Sequence, residues 1–93
     1  MDTKKYHQLV WDYHLSETQF LSILKGKTVL GTFDQNWAIG RVLENLNFYD
    51  ALELVPLESL ENHWLEVKPK LFNPSIAEGY EFVLRRHTLS AAR

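Results

Sequence analysis

The stretch that decides the fold is residues 34–47, which read DQNWAIGRVLENLN. Its apolar positions spread over more than half of a helix circumference, and a helix that apolar is predicted to lie at the centre of a domain. Asp34 is the predicted N-cap, because its carboxylate accepts hydrogen bonds from the free N–H groups of the first turn. Gly40 weakens a helix interior by about 1 kcal/mol relative to alanine, which predicts a close helix crossing at this position. The apolar set is Trp37, Ala38, Ile39, Val42, Leu43 and Leu46.

The segment before this stretch predicts a shorter helix over residues 17–25. Ser16 and Gln19 match a capping box, in which each side chain bonds the backbone N–H of the other. Gly26 is a natural residue after the helix end, since glycine adopts a left-handed conformation at little cost. Residues 27–33 favour extended geometry but lack a partner strand, so they are predicted to form a connection.

Nearer the N-terminus, Tyr6, Leu9, Val10 and Tyr13 follow the i, i+3, i+4, i+7 spacing of one helical stripe. Trp11 lies off that stripe. The sequence therefore predicts a first helix that stops near Val10 and continues as an extended Trp11–Asp12–Tyr13 stretch.

On the C-terminal side, a short helix is predicted from Phe48 to Val55. Pro56 is expected to end it and to open the next helix at its first position, N1. That helix is predicted over residues 57–67, and Pro69 is expected to end it.

A last helix is predicted after the Asn73-Pro74 turn. Ser75 and Glu78 match a second capping box. Glu81 and Arg85 form an i, i+4 ion pair in the favourable orientation. The sum is an all-α fold, a compact bundle of five to six short helices in a single domain covering residues 1–93, with a core at about 6–88.

Length and composition limit the class of protein. Ninety-three residues make one domain, and 45% hydrophobic with 24% charged residues is typical of a globular chain. Apolar runs are far too short to cross a membrane. The absence of cysteine fits a reducing compartment. With no secretory signal recognised at the start of the chain, the expected location is cytoplasmic, away from membranes.

Charge is unevenly distributed along the chain, whose net charge is −2. Residues 34–61 hold a single basic residue, Arg41, against six acidic ones: Asp34, Glu44, Asp50, Glu53, Glu58 and Glu61. A nucleic-acid-binding surface needs a concentrated basic face. A nucleic-acid partner is therefore disfavoured, and charge complementarity suits a protein partner instead.

The motifs of enzymes and cofactor sites are missing. There is no G-x-S-x-G pattern, and the Gly26-Lys27-Thr28 tripeptide lacks the upstream glycine of a phosphate-binding loop. His7 and His14 are spaced so that one helix would align them, but no third ligand shares their face. We expect no catalytic residues, no metal and no cofactor.

Two candidate binding sites remain. Residues 50–67 form two short helices with a tight break, as in a helix-turn-helix DNA-binding regulator, although the second helix presents Glu58 and Glu61 where such proteins carry basic or amide side chains. Aromatic residues make up 13% of the chain, and tryptophan, tyrosine and arginine dominate interface hot spots. The predicted partner-binding residues are Trp11, Tyr13, Trp37, Arg41 and Trp64, with the Arg41 guanidinium stacked on the Trp37 indole.

The chain resembles a loosely defined family of small uncharacterised bacterial proteins. The resemblance covers about residues 8–88. It rests on Trp11-Asp12-Tyr13, on Trp37 with Arg41-Val42-Leu43-Glu44, and on Tyr80-Glu81-Phe82-Val83-Leu84. Some of these proteins are encoded beside nucleotidyltransferase toxins of abortive-infection systems. The resemblance implies a helical fold, a protein partner and no active site.

The function expected from the sequence is that of a small cytoplasmic, non-enzymatic protein-interaction module. The resemblance narrows this to an antitoxin-like or accessory partner of a nucleotidyltransferase. The alternative is a helix-turn-helix DNA-binding regulator that uses residues 50–67. The short chain also suits a homodimer, because so small a core often recruits a second copy.

Overall fold

A computed structural model describes residues 15–91, with side chains described to His87. Within this range the chain forms five α-helices and one short 3₁₀ helix, and no β-strand. They are α1 (Glu17–Leu24), α2 (Gln35–Asn45), α3 (Phe48–Leu54), α4 (Leu57–Val67), the 3₁₀ helix (Lys68–Lys70) and α5 (Pro74–Ala91). The predicted all-α bundle is confirmed. The predicted first helix lies outside the described residues.

Helix α1 begins and ends as its sequence predicts. The Gln19 N–H donates to Ser16 Oγ at 3.1 Å, and the Ser16 N–H donates to Gln19 Oε1 at 2.9 Å, which completes the capping box. At the other end Gly26 has φ +77°. The N–H groups of Gly26 and Lys27 bond the carbonyls of Ile23 and Ser22, the pairing of a Schellman motif.

Residues 27–33 form the predicted connection. Leu30 and Phe33 exchange two backbone hydrogen bonds of 3.2 and 2.9 Å around Gly31, which has φ +61°. This isolated bridge turns the chain into α2. Asp34 Oδ1 then accepts the N–H of Trp37 at 2.9 Å, so the predicted N-cap is present.

Helix α2 is the central element. It packs against α1, α3, α4 and the 3₁₀ helix, and it buries Ala38, Ile39, Val42 and Leu43. The prediction of a close crossing at Gly40 is wrong. A Cβ atom at this position would meet only the Leu71 side chain, at an ordinary 3.9 Å.

Helices α3 and α4 meet at a two-residue break. The Asp50 N–H donates to Asn47 Oδ1 at 2.9 Å, which caps α3. Pro56 does not occupy N1 of α4 as predicted. Its ψ of 152° is extended, and its carbonyl accepts the Leu60 N–H, so Pro56 is the N-cap and the helix begins at Leu57.

Helix α5 begins earlier than its predicted capping box. Pro74 takes the first helical position, where its missing N–H costs nothing. The Asn73 side chain accepts the N–H of Ser75 at 3.0 Å. Ser75 therefore lies inside the helix, and the Ser75–Glu78 capping box is wrong.

The core lies between α2 and the helices around it. Its largest fully buried side chains come from α1, α2, α4 and the α3–α4 break. Helix α5 closes the core with Ala77, Tyr80 and Leu84. These largest fully buried side chains are Phe20, Ile23, Ile39, Val42, Leu43, Val55, Leu60 and Val67.

Candidate interaction groove

One side of α2 faces a groove instead of the core. Its lining also includes residues of the 3₁₀ helix, of the stretch after it and of the end of the 27–33 connection. The groove has a volume of about 430 Å³. We call it the Trp37 groove and define it by Phe33, Trp37, Arg41, Glu44, Lys70 and Phe72.

The Trp37 indole is held in place by two other rings. It stacks on Phe33 at a centroid distance of 4.4 Å and an interplanar angle of 28°. Its edge contact with Phe20 has a centroid distance of 6.0 Å. Offset stacking and edge contacts are the arrangements that aromatic rings prefer. The half-buried indole is therefore a preorganised surface, which lowers the entropic cost of binding to it.

Arg41 lies one helical turn after Trp37 and also lines the groove. Like Trp37, it is half-buried. The helix thus brings the predicted Trp37–Arg41 pair to one surface, as the i, i+4 spacing requires. The stacking of the guanidinium on the indole stays a prediction.

Phe72 is the most exposed of the large apolar side chains in the described part of the chain, at 92%. Its backbone is nevertheless fixed, because its N–H donates to Glu44 Oε1 at 3.1 Å. At this exposure the ring gains almost nothing from the hydrophobic effect within the chain itself. Single exposed apolar side chains are common on protein surfaces, so the neighbouring aromatic groove is what makes Phe72 a candidate for binding.

Sequence reasoning missed Phe72 and Lys70. Both lie in the short connection between Pro69 and Pro74. Phe72 belongs to no helical stripe that would place its ring in the core. This lack of a stripe was the signal in the sequence that could have predicted its exposure. The sequence could not place this connection at the groove, because its position depends on how it packs against α2.

Trp64 lies elsewhere. It is 8% exposed and belongs to the core, so its side chain is not the exposed anchor that the sequence suggested. Its buried indole N–H has no acceptor within hydrogen-bonding geometry. The indole nevertheless contributes to lowering the pKa of the Glu81 carboxyl. Trp11 and Tyr13, the other two predicted binding residues, lie outside the described residues.

The candidate DNA-binding segment has an acidic face. Residues 50–67 contain five carboxylates and no lysine or arginine. The exposed side of α4, the helix that would enter the groove of DNA, shows Glu58, Glu61, Asn62, Leu65 and Glu66. These carboxylates would repel phosphate. Residues 50–67 thus lack the basic face that a DNA-binding segment uses.

Titratable groups with shifted pKa values lie away from the groove. The Lys68 ammonium, hydrogen-bonded to Glu81 at 2.9 Å, lowers the pKa of that carboxyl. Burial raises the pKa of Tyr80. Across residues 15–91 no three side chains of metal-binding type come together. His7 and His14 fall outside this range.

No helix within residues 15–91 combines the length and the hydrophobicity that crossing a bilayer demands. Comparisons of the chain with protein-family models, with curated proteins and with solved structures each found no significant match.

Proposed function

We propose that this protein is a non-enzymatic interaction module that binds a segment of a partner protein in the Trp37 groove. The observation that carries the proposal is the pairing of a rigid, half-buried Trp37 indole with a nearly fully exposed Phe72 ring across one open groove. Binding energy at protein interfaces is concentrated in a few such aromatic and arginine side chains.

The groove is already formed without a partner. Trp37 is held by Phe33 and Phe20, and Phe72 is held through its backbone by Glu44. The Trp37 ring is therefore already ordered when a partner arrives, and interface side chains that are already ordered cost less to bind. This supports recognition of a short segment by a rigid site.

The finer role follows from the family resemblance. We propose an antitoxin-like or accessory partner of a nucleotidyltransferase, acting in the cytoplasm. The absence of cysteine fits that compartment.

The test compares two substitutions at equally exposed positions. Phe72 and Leu65 are 92% and 89% exposed, but only Phe72 lines the groove. Both Phe72→Ser and Leu65→Ser should leave the free energy of unfolding within about 0.5 kcal/mol of the parent, because neither side chain is packed. Thermal unfolding checks that both variants fold.

Partner recovery with each variant is then measured by affinity purification from the native host, followed by quantitative mass spectrometry. We expect Phe72→Ser to lower recovery of the partner about tenfold or more, and Leu65→Ser to leave it unchanged. Equal recovery with both variants, or equal loss with both, would contradict the proposed function.

A further inference from the structure

We infer that two copies of this chain pair through the exposed face of α5, with the two helices antiparallel and Phe82 at the centre of the contact. Among the described residues, those that line the Trp37 groove come from other elements than α5. The pairing is therefore a second interaction surface, and it does not depend on what binds in the groove.

Helix α5 has one face in the core and the opposite face in solvent. Ala77, Tyr80 and Leu84 are buried. Phe82 is 60% exposed, and at about 100° per residue its position on the helix points almost directly away from the buried three. A large ring is thus at the centre of a face where a surface helix ordinarily carries polar residues. The other exposed residues of this face are Ser75, Glu78, Gly79, Arg85 and Arg86.

The surface beside the ring is open. Gly79 lies three residues before Phe82, and a Cβ atom there would meet nothing within 4 Å. Packing within the described part of the chain therefore gives no reason for this glycine, although glycine in a helix interior costs about 1 kcal/mol relative to alanine. Without a side chain, Gly79 lets the backbone of a second helix approach closely next to the Phe82 ring.

The charges on either side of the ring have no ion pairs within the chain. Glu78 lies four residues before Phe82, and Arg86 lies four residues after it. Neither forms an ion pair with another residue in the range 15–91. They are about 12 Å apart along the helix axis, too far to pair with each other. The Arg86 guanidinium instead lies 5.6 Å from the centroid of the Phe82 ring.

An antiparallel second copy pairs both charges at once. Glu78 and Arg86 lie at equal distances from Phe82 in opposite directions, so a two-fold axis at Phe82 brings Glu78 of each copy opposite Arg86 of the other. Two-fold interfaces are self-complementary in this way. In the parallel orientation each charge would face its own copy, which is repulsive. Charge complementarity therefore selects the antiparallel pair.

The dimer should be weak. The contact involves one face of a helix of 18 residues from each copy, with one large apolar side chain at its centre. Exposed ion pairs add little affinity. Such a contact lies at or below the lower end of specific interfaces, so we expect a dissociation constant of about 10–100 μM.

Sedimentation velocity of the full chain over a range of concentrations that brackets this value tests the pairing. We expect a reversible dimer. Phe82→Ser should weaken it about tenfold or more, whereas Leu65→Ser, which removes an 89% exposed side chain on α4, should leave it unchanged. Thermal unfolding checks that both variants fold. A parent protein that stays monomeric throughout, or equal effects of the two variants, would overturn the inference.

Charge reversal then tests the antiparallel geometry. Glu78→Arg and Arg86→Glu should each weaken self-association about tenfold, because two attractions in the dimer become two repulsions. An equimolar mixture of the two variants should dimerise about as well as the parent. In the mixed dimer each like-charge contact of the separate variants becomes a contact between opposite charges. A mixture that stays as monomeric as its components would overturn the inference.

The matched control makes the same changes in charge outside α5. Glu58→Arg and Lys25→Glu alter exposed residues on α4 and at the end of α1. Alone or mixed, they should self-associate within about twofold of the parent, because exposed charges away from the contact are screened. If this pair of variants lost and regained self-association as the α5 pair does, net charge and not the α5 face would control the dimer, and the inference would be wrong.

Discussion

At the scale of single residues, Gly26 and Gly40 differ in whether the structure requires a glycine. Gly26 has φ +77°, and a Cβ atom there would stand 3.0–3.2 Å from the Gln35 amide. That amide donates to the Leu24 carbonyl at the end of α1. Gly40 is helical and would place its Cβ 3.9 Å from Leu71, an ordinary contact. Of these two glycines, Gly26 is the one that the structure requires.

The two glycines should therefore respond oppositely to alanine. Gly40→Ala should raise the free energy of unfolding by about 0.5–1 kcal/mol, because alanine restricts the unfolded chain and suits a helix interior. Gly26→Ala should lower it by about 1 kcal/mol or more, because the left-handed conformation is strained with a Cβ. Urea unfolding measures both. If Gly40→Ala lowers the free energy of unfolding instead, another helix must pack closely against this position, contrary to the structure.

At the scale of elements, α2 serves two surfaces at once. Ile39, Val42 and Leu43 face the core, while Trp37 and Arg41 face the groove. Both sets depend on where the helix starts. The Asp34 cap sets that start, and it bonds the N–H of Trp37 itself. A substitution at Asp34 should therefore affect both the core and the groove.

Removing this cap should cost stability. We expect Asp34→Ala to lower the free energy of unfolding by about 1 kcal/mol, because the first turn of α2 loses its acceptor. Asp34→Asn keeps a side-chain oxygen at the same place, and should retain most of the stability. Denaturant unfolding of the pair measures the difference. If both variants lose stability equally, the charge of Asp34 and not its hydrogen bond is what stabilises the helix.

At the scale of the whole molecule, one ion pair ties the 3₁₀ helix to α5. Lys68 Nζ donates to both oxygens of Glu81, at 2.9 and 3.0 Å, and Arg85 lies 3.9 Å away. The Lys68 bond is the main cause of the lowered pKa of Glu81. Because the carboxyl is easier to ionise in the folded state, folding is favoured when Glu81 is charged.

This contribution should vanish in acid. It is fully present above the ordinary glutamate pKa of 4.5, and it is lost as the pH falls through the lower pKa of the folded state. Lys68→Met removes the partner, so its melting temperature should fall less than that of the parent over this acid range. Thermal unfolding between neutral and acid pH measures both slopes, and added salt should narrow the gap because the pair is partly exposed. Parallel slopes would show that this pair does not couple the two elements.

Within residues 15–91, the amino-acid sequence by itself determined the α-helices and most of their ends. Ser16, Gly26 and Asp34 act on backbone groups within a few residues, so their effect is readable from local spacing. Where two signals competed locally, as at Pro74 and Ser75, the rigid proline decided the start of the helix.

Only the tertiary structure decided which aromatic rings are buried. Trp64 and Phe72 look alike to a rule based on composition, yet one is in the core and the other is nearly fully exposed. Their difference arises from packing between segments far apart in the chain, such as the Phe72 N–H against Glu44. Burial depends on all the elements that surround a side chain, and local spacing carries no information about the distant ones.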